Sequence, residues 1–366
     1  MSQTNAVVKG IGAYLPGEKV GIGEIDDYLG EVPDLNMARY YRIIDKYAGV
    51  KYRHYALEKG TGRLLEDSPR LAYNAAKLAL ERAGVPGEEL DLIITATSTP
   101  PYLRPGLAKE IRLLLGNTEC ATYDLWGACT GIQQAITIAT AGIRCGLFRR
   151  ALLVGVELVS TSGRAENLTP GKIGKHDMLL RAALGDGAGA LVMTSDSSEE
   201  DGVIYTGSGT EGCTSTAFHR EAGGSTIPFS EDALREGLHH WRHDFSRMAQ
   251  EGKPYFIRLI KRTLEQVGMD IEEVDHIVPA AANFNYFRTD ELEATGGAGQ
   301  ELLEAIRAKV FTNFSDAGNI PSAAVYVALN ELYEAGRIRR GTVLLLTSIE
   351  GATWGWGSSL IRWGGD

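Results

Sequence analysis

Glu89-Leu-Asp-Leu-Ile-Ile-Thr-Ala-Thr97 and Glu273-Val-Asp-His-Ile-Val-Pro-Ala-Ala281 are the two stretches on which the fold turns. Each sets a glutamate, an apolar residue and an aspartate ahead of a short run suited to a buried strand. Each also follows a helix-like segment closed by glycine, Arg82-Ala-Gly84 and Gln266-Val-Gly268, as a C-cap requires. Outward from these stretches the matches continue in the same order. Gly127-Ala-Cys-Thr-Gly-Ile132 answers to Ala317-Gly-Asn-Ile-Pro-Ser322, Arg150-Ala-Leu-Leu-Val154 to Gly341-Thr-Val-Leu-Leu345, and Gly185-Asp-Gly-Ala188 to Gly355-Trp-Gly-Ser358. Ordered matches of this kind are the mark of internal duplication. The chain therefore reads as two similar α/β halves, 1–200 and 201–366, with an extra stretch at about 160–184 in the first half alone. Alternating strands and helices imply mixed or mostly parallel sheets with helices on their faces.

Composition narrows the function. With 44% hydrophobic and 23% charged residues the chain is globular rather than disordered. A formal net charge of −10 argues against duplex nucleic acid as the main partner. Met1–Lys9 has no signal-peptide pattern, and no uncharged apolar run approaches the ~20 residues that span a bilayer. A cytoplasmic protein without membrane association is expected. The cysteines Cys120, Cys129, Cys145 and Cys213 lack C-x-x-C spacing, so free thiols are expected and zinc is not.

Cys129 and Asn319 fall at equivalent points of the two halves, each between a strand-like segment and a helix. A cysteine at a helix start feels the positive end of the dipole, and its pKa is expected to fall. Gly127 and Gly131 permit a tight turn around it, the geometry of a nucleophile elbow. A lone cysteine in apolar surroundings is most often a small core residue. The glycine setting and the pseudo-symmetric asparagine outweigh that reading.

Asp124-Leu-Trp-Gly-Ala-Cys-Thr-Gly131, Leu184-Gly-Asp-Gly-Ala-Gly189, Gly318-Asn-Ile-Pro-Ser-Ala-Ala324, Thr353-Trp-Gly-Trp-Gly-Ser358 and the early Ala48-Gly-Val-Lys-Tyr-Arg53 together resemble a β-ketoacyl-ACP synthase III-type enzyme of the thiolase superfamily, over essentially the whole chain. The resemblance implies a five-layer αβαβα fold, a homodimer, and an acyl-cysteine intermediate on Cys129 formed from acyl-CoA or acyl-carrier protein, with no further cofactor. It implies a catalytic Asn319 and an oxyanion hole from the amides of Cys129 and the Gly351-Ala352 region. It also implies substrate contacts at Leu103, Ala280 and Asn283, Leu103 lying where the family places a loop that reaches into the other subunit's acyl pocket.

One departure is large. The family carries histidine in a Pro-His-x-Ala-Asn motif, and here the segment reads Pro279-Ala-Ala-Ala-Asn283, with Ala280 in the histidine position. In decarboxylative condensation that histidine and the asparagine stabilise the enolate oxygen. Losing one such donor costs on the order of 100- to 1000-fold in rate. None of His54, His176, His219, His239, His240, His243 and His276 falls in the slot. His176 and His219 lie in stretches that border the expected pocket, and His276 is four residues too early. Leu238-His-His-Trp-Arg-His243 reads as a solvated helix rather than a metal site.

Arg258, Lys261 and Arg262 sit on a helix read as Tyr255–Gln266, which in the family faces the acidic carrier protein. A local positive patch on an acidic protein steers such a partner. Several functions stay open. One is acyl transfer from Cys129 to a hydroxyl or amine, in secondary metabolite or polyketide biosynthesis. Another is carbon–carbon condensation with Asn319 and a replacement base, and a third is a non-catalytic subunit of a heterodimeric synthase. Thiolase activity proper is disfavoured, because Ser348–Gly357 holds no second cysteine.

Overall fold

In the computed structural model, which describes residues 4–33, 35–43, 45–46, 49–198, 200–211, 217–280, 299–351 and 354–365, the apolar run Leu92–Ala96 is a strand buried at every position. It is β4 of a first set comprising β1 (Asn5–Tyr14), the short pair β2 (Val20–Gly21) and β3 (Tyr52–Arg53), β4, β5 (Ala121–Leu125), β6 (Arg150–Glu157) and β7 (Gly187–Asp196). The second set is β8 (Gly202–Thr210), the short pair β9 (Phe218–His219) and β10 (Arg242–His243), β11 (His276–Pro279), β12 (Val343–Ile349) and β13 (Gly355–Arg362). The helices of the first half are α1 (Ile25–Leu29), α2 (Met37–Ile43), α3 (Ser68–Ala83), α4 (Leu107–Leu114), α5 (Gly131–Arg144), α6 (Ser160–Gly163) and α7 (Lys175–Ala183). Those of the second are α8 (Glu231–Arg235), α9 (Phe245–Val267), α10 (Gln300–Lys309), α11 (Phe314–Ala317) and α12 (Ala324–Glu334).

The duplication is visible in the strand order. The first sheet runs β1-β7-β6-β4-β5 and the second β8-β13-β12-β11. In both, the first two neighbouring pairs are antiparallel and the third is parallel. The place of β5 is taken in the second sheet by a single parallel bridge from Ile277 to Val310. Helix caps follow the sequence: Asp67 Oδ1 accepts the Arg70 N–H at 3.0 Å at the start of α3, and Gly84 closes it in the left-handed conformation. Gly268 closes α9 in the same way.

Helices α3 and α4 cover the outer face of the first sheet, and α9 and α10 that of the second. Between the sheets, α5 touches β1, β4 and β6 on one side and β8, β12 and β13 on the other, while α12 touches β1, β7 and β11. The result is a five-layer αβαβα fold with mixed sheets. Ile132, Ile136, Ala139, Val325 and Leu329 of the middle layer share one buried cluster with both sheets. The extra stretch of the first half forms α6 and α7, which pack on α1 and α2 around Leu29, Met178 and Leu179.

Pairing corrects the register of the repeat. Leu92 lies beside Ala151, and its counterpart His276 lies beside Leu344. Carried along the strands, this sets Gly155 against Ser348 and Glu157 against Glu350. The match of Arg150–Val154 to Gly341–Leu345 is thus two residues out. So is Gly185–Ala188 against Gly355–Ser358, because Gly187 stands opposite Glu157 and Gly355 opposite Glu350. A slip of two leaves every side chain on its original face, and in strands buried on both faces the apolar pattern cannot decide between registers.

The halves meet most closely where β6 passes the loop before α12. A Cβ added to Gly155 would lie 1.8 Å from the Ser322 carbonyl oxygen and 2.9 Å from Ile132 Cγ2. Gly155→Ala is expected to cost at least about 3 kcal/mol of stability in urea unfolding. Gly299→Ala, where an added Cβ meets nothing within 4 Å, should stay within ~0.5 kcal/mol.

Candidate active site

Beyond β5 the chain turns sharply. Ala128 is left-handed at φ 44°, a conformation L side chains rarely adopt. Cys129 follows in a single helical turn, Ala128–Thr130, that leads into α5. The Thr130 N–H and hydroxyl both donate to the Gly127 carbonyl, at 2.9 and 2.8 Å. A Cβ on Gly127 would meet Gly131 Cα at 2.7 Å, and one on Gly131 would meet Ala96 Cβ at 2.8 Å. Both glycines are thus required by close approach, and Cys129 sits in a tight turn.

The second half supplies the opposing loop. The Asn319 N–H donates to Ala183 O at 2.8 Å, and Asn319 O accepts from the Gly185 N–H at 3.0 Å. Gly318 turns left-handed beside the buried Arg53. Asp186 accepts from the Ala56 N–H and from Ser160 N–H and hydroxyl. The Arg53 and Gly-Asp-Gly motifs therefore act as a frame for Asn319. Three residues on, the Ser322 hydroxyl is shared between Glu157 and Ala128 O, the latter at 3.2 Å. The asparagine loop is thereby tied to the cysteine turn. Among the described residues, Asn319 Oδ1 is buried without a hydrogen-bond partner.

Two carboxylates that sequence reasoning missed stand around the thiol. Glu157 is fully buried and accepts from Ser98 N–H at 3.0 Å, Thr99 Oγ1–H at 2.8 Å, Ser322 N–H at 3.2 Å and the Ser322 hydroxyl. Burial still holds its carboxyl above the usual range. Glu350 is 8% exposed, and its Oε1 accepts the Gly355 N–H at 3.0 Å. The signal available in sequence was a glutamate closing each of two matched apolar strands. The expected fall in the Cys129 pKa is overturned. Burial first, then the charges of Glu350 and Glu157, push the half-buried thiol up to about 12. The helix start does not offset them.

Ala280 directly follows β11 at 4% exposure, its N–H bonded to Thr347 O at 2.8 Å. It lies in the same apolar cluster on which Cys129 packs, and it offers a methyl where a donor was expected. Gly351 follows β12, with its carbonyl bonded by Ala217 and Phe218 N–H groups. Leu103 is 80% exposed. Arg258, Lys261 and Arg262 lie on the outer face of α9, a helix longer than its sequence reading. Lys261 stands 3.8 Å from Glu265, and Arg262 3.7 Å from Glu211. Asn283, Ala352 and Cys213 lie outside the described residues, as does the side chain of His176.

The run 238–243 is not a solvated helix. It forms a turn and β10, with His240 buried, accepting the Thr169 N–H at 3.0 Å and facing Asp177 at 3.4 Å. The acidic neighbour comes from α7, distant in sequence, which local spacing cannot show. His219 stands 3.8 Å from Glu221, and His276 faces Arg337 O at 3.3 Å. A cavity of about 670 Å³ opens beside the site, lined by Val159, Arg181, Leu184, Arg220, Phe229 and Trp241. It adjoins the site through Leu184, whose backbone bridges Asn319. The Arg220 guanidinium lies over the rings of Phe229 and Trp241, at 5.3 and 5.5 Å.

Residues 123–212 match the family model for 3-oxoacyl-[acyl-carrier-protein (ACP)] synthase III, and residues 264–363 match the model for its C-terminal part. The chain is 31% identical to the beta-ketoacyl-[acyl-carrier-protein] synthase III of Symbiobacterium thermophilum, over 82% of this chain and 84% of that one. It is 27% identical to the protein of the same name from Sulfurovum sp., over 100% and 99%. The crystal structure of 3-oxoacyl-(acyl carrier protein) synthase III from Pseudomonas aeruginosa superposes with a TM-score of 0.77 at 27% identity, covering 98% of each chain.

A thiol held at about 12 reacts slowly with iodoacetamide at pH 8, because the thiolate is the nucleophile. Labelling of the Cys129 peptide, followed by mass spectrometry in the ligand-free protein, should rise about tenfold per pH unit from 8 to 11. A plateau below pH 9 would contradict this electrostatic account.

Proposed function

Because the chain belongs to the 3-oxoacyl-[acyl-carrier-protein] synthase III family, acyltransferases of the condensing type, we propose that Cys129 takes an acyl group from acyl-CoA or acyl-carrier protein and hands it to a hydroxyl or amine. The observation that carries this reading is Ala280. A buried methyl directly after β11 can neither hydrogen-bond an enolate oxygen nor move a proton. Acylation needs a nucleophilic sulfur and amide donors for the oxyanion, the latter from Cys129 and the Gly351-Ala352 segment. Decarboxylation of a malonyl thioester needs two donors at its carbonyl oxygen, and Asn319 supplies one. An acceptor with its own O–H or N–H avoids that requirement. The second reading, carbon–carbon condensation, would use the Asn319 Nδ2–H on the enolate oxygen, whereas the buried, unpartnered Oδ1 is an acceptor and suits the O–H or N–H of the first. The chemistry requires no cofactor beyond the thioester. We place it in secondary metabolite or polyketide biosynthesis, because the departure at Ala280 suits a dedicated acceptor better than malonyl extension.

Partners follow from surfaces. No described helix is long and apolar enough to cross a membrane. The edge strand β5 carries the exposed Tyr123 and is flanked by Trp126, Tyr102 and Leu103, exposed by 67%, 56% and 80%. An open strand edge beside large apolar side chains is a surface that proteins cover, and a second copy pairing along β5 covers it in a homodimer. Arg258, Lys261 and Arg262 are the proposed landing face for an acidic carrier, its pull moderated by Glu211 and Glu265.

Incubation with acetyl-, octanoyl- and dodecanoyl-CoA should add one acyl mass to the intact protein, and Cys129→Ala should remove the adduct. Malonyl-CoA decarboxylation by the acylated enzyme is expected to be on the order of 100- to 1000-fold below ordinary turnover, and Ala280→His should raise it. Malonyl turnover at 1–1000 per second in the unaltered protein would refute the acceptor assignment. Light scattering should give a dimer of the 39.6 kDa chain, shifted to monomer by Trp126→Glu. An unaltered protein that is monomeric at micromolar concentration would sink the β5 interface.

A further inference from the structure

We propose that Glu350 is the proton acceptor that serves Cys129, a role that the methyl of Ala280 cannot fill. This rests on the reading of Cys129 as the acylated residue. Gln133 lies on the first turn of α5, four residues after Cys129 in the short turn that leads into it. A Cβ on Gly357 would meet Gln133 Cβ at 2.3 Å, so α5 and β13 touch there. Gly357 pairs with Ser348 of β12. Two residues farther along, roughly 7 Å, stands Glu350, opposite Gly355 and on the same strand face as Ser348. Cys129 thus stands one helical turn back from this contact, and Glu350 two strand residues forward from it. The turn that carries Cys129 packs against both β12 and β13. Of the charges that raise the thiol pKa, Glu350 is the larger contributor and Glu157 the smaller.

The strand register makes Glu157 the counterpart of Glu350 in the first half, yet their surroundings differ. Glu157 accepts four hydrogen bonds from Ser98, Thr99 and Ser322 and joins the two halves. Glu350 follows directly on β12 and precedes the loop expected to bind the oxyanion. In the first half-reaction Cys129 Sγ bonds to the thioester carbonyl carbon while its proton passes to the Glu350 carboxylate. The C–S bond to the donor breaks, and the departing thiolate takes that proton from the Glu350 carboxylic acid. In the second, the acceptor O–H or N–H gives its proton to Glu350 as oxygen or nitrogen bonds to the acyl carbon. Cys129 leaves as thiolate and is reprotonated by Glu350. Protonation of Glu350 also removes the more strongly acting negative charge as sulfur gains negative character.

The test separates a base from a mere neighbouring charge. Glu350→Gln and Glu350→Asp are compared with the unaltered protein in two rates: acylation by acetyl-, octanoyl- and dodecanoyl-CoA, and Cys129 alkylation by iodoacetamide at pH 8.5. Alkylation needs only thiolate, so Glu350→Gln should alkylate faster while acylating at least about 100-fold slower. Glu350→Asp, which keeps the carboxylate, should retain part of the acylation rate and covers the case in which the glutamine variant misfolds. Acylation that is unchanged, or that rises together with alkylation, overturns the assignment. Alkylation unaltered in both variants overturns it too, since the carboxylate would not face the thiol. If the unaltered protein acquires no acyl mass, the acyl-cysteine reading itself falls and this role with it. Acylation that persists undiminished in both variants removes Glu350 alone.

Discussion

The contact between Glu157 and Ser322 is the joint on which the rest of the molecule depends. It lies where β6 of the first half ends and the loop leading into α12 of the second begins. Gly155, two residues earlier, lets the two backbones approach more closely than any side chain would allow. A buried carboxylate left without donors would be strongly unfavourable, and here the second half supplies two of the four donors. The halves therefore satisfy one another's polar groups at the same point where the cysteine turn and the asparagine loop meet. Ser322 also reaches the carbonyl of Ala128, so the strained residue before the nucleophile is held from across the interface.

Glu157 at this joint adds to the electrostatics of the site, after burial and the charge of Glu350. The start of a helix favours a nearby negative charge by about 0.3–1 kcal/mol, and ~2 kcal/mol at best. A rise in the Cys129 pKa from 9.0 to about 12 disfavours the thiolate by roughly 4 kcal/mol. Desolvation and two carboxylates therefore outweigh the helix, and the resting Cys129 is a neutral thiol. In the proposed acylation such a sulfur needs its proton removed during the reaction rather than beforehand. That requirement suits an adjacent group able to take a proton and neutralise itself in doing so.

Much of this architecture was legible from residues alone. The duplicated glycine-capped helix and the strand after it identify the two halves, because capping and apolar patterning are local signals. Cys129 and Asn319 emerge together because they occupy matched positions, each just after a glycine-marked turn. What local pattern cannot carry is register and long-range pairing. A two-residue slip in β6 and β12 preserves every apolar position, and with the wrong alignment Glu157 and Glu350 are not seen as counterparts. The 238–243 run misled for a related reason: clustered histidines and a tryptophan suit a wet helix, and only α7, folded back from the extra stretch of the first half, buries His240 against Asp177. The dipole argument for Cys129 was sound in direction and incomplete in its neighbours.

The protonated resting state of Cys129 bears on how long the enzyme lasts. Peroxide attacks thiolates far more readily than thiols, and over-oxidation to sulfinic acid is in general irreversible. A thiol kept neutral is thus a poorer target for the oxidants that attack ionised cysteines. The exposed Cys145 meets such reagents first. The carboxylates that hold Cys129 protonated thereby also make it a poorer target for such oxidants.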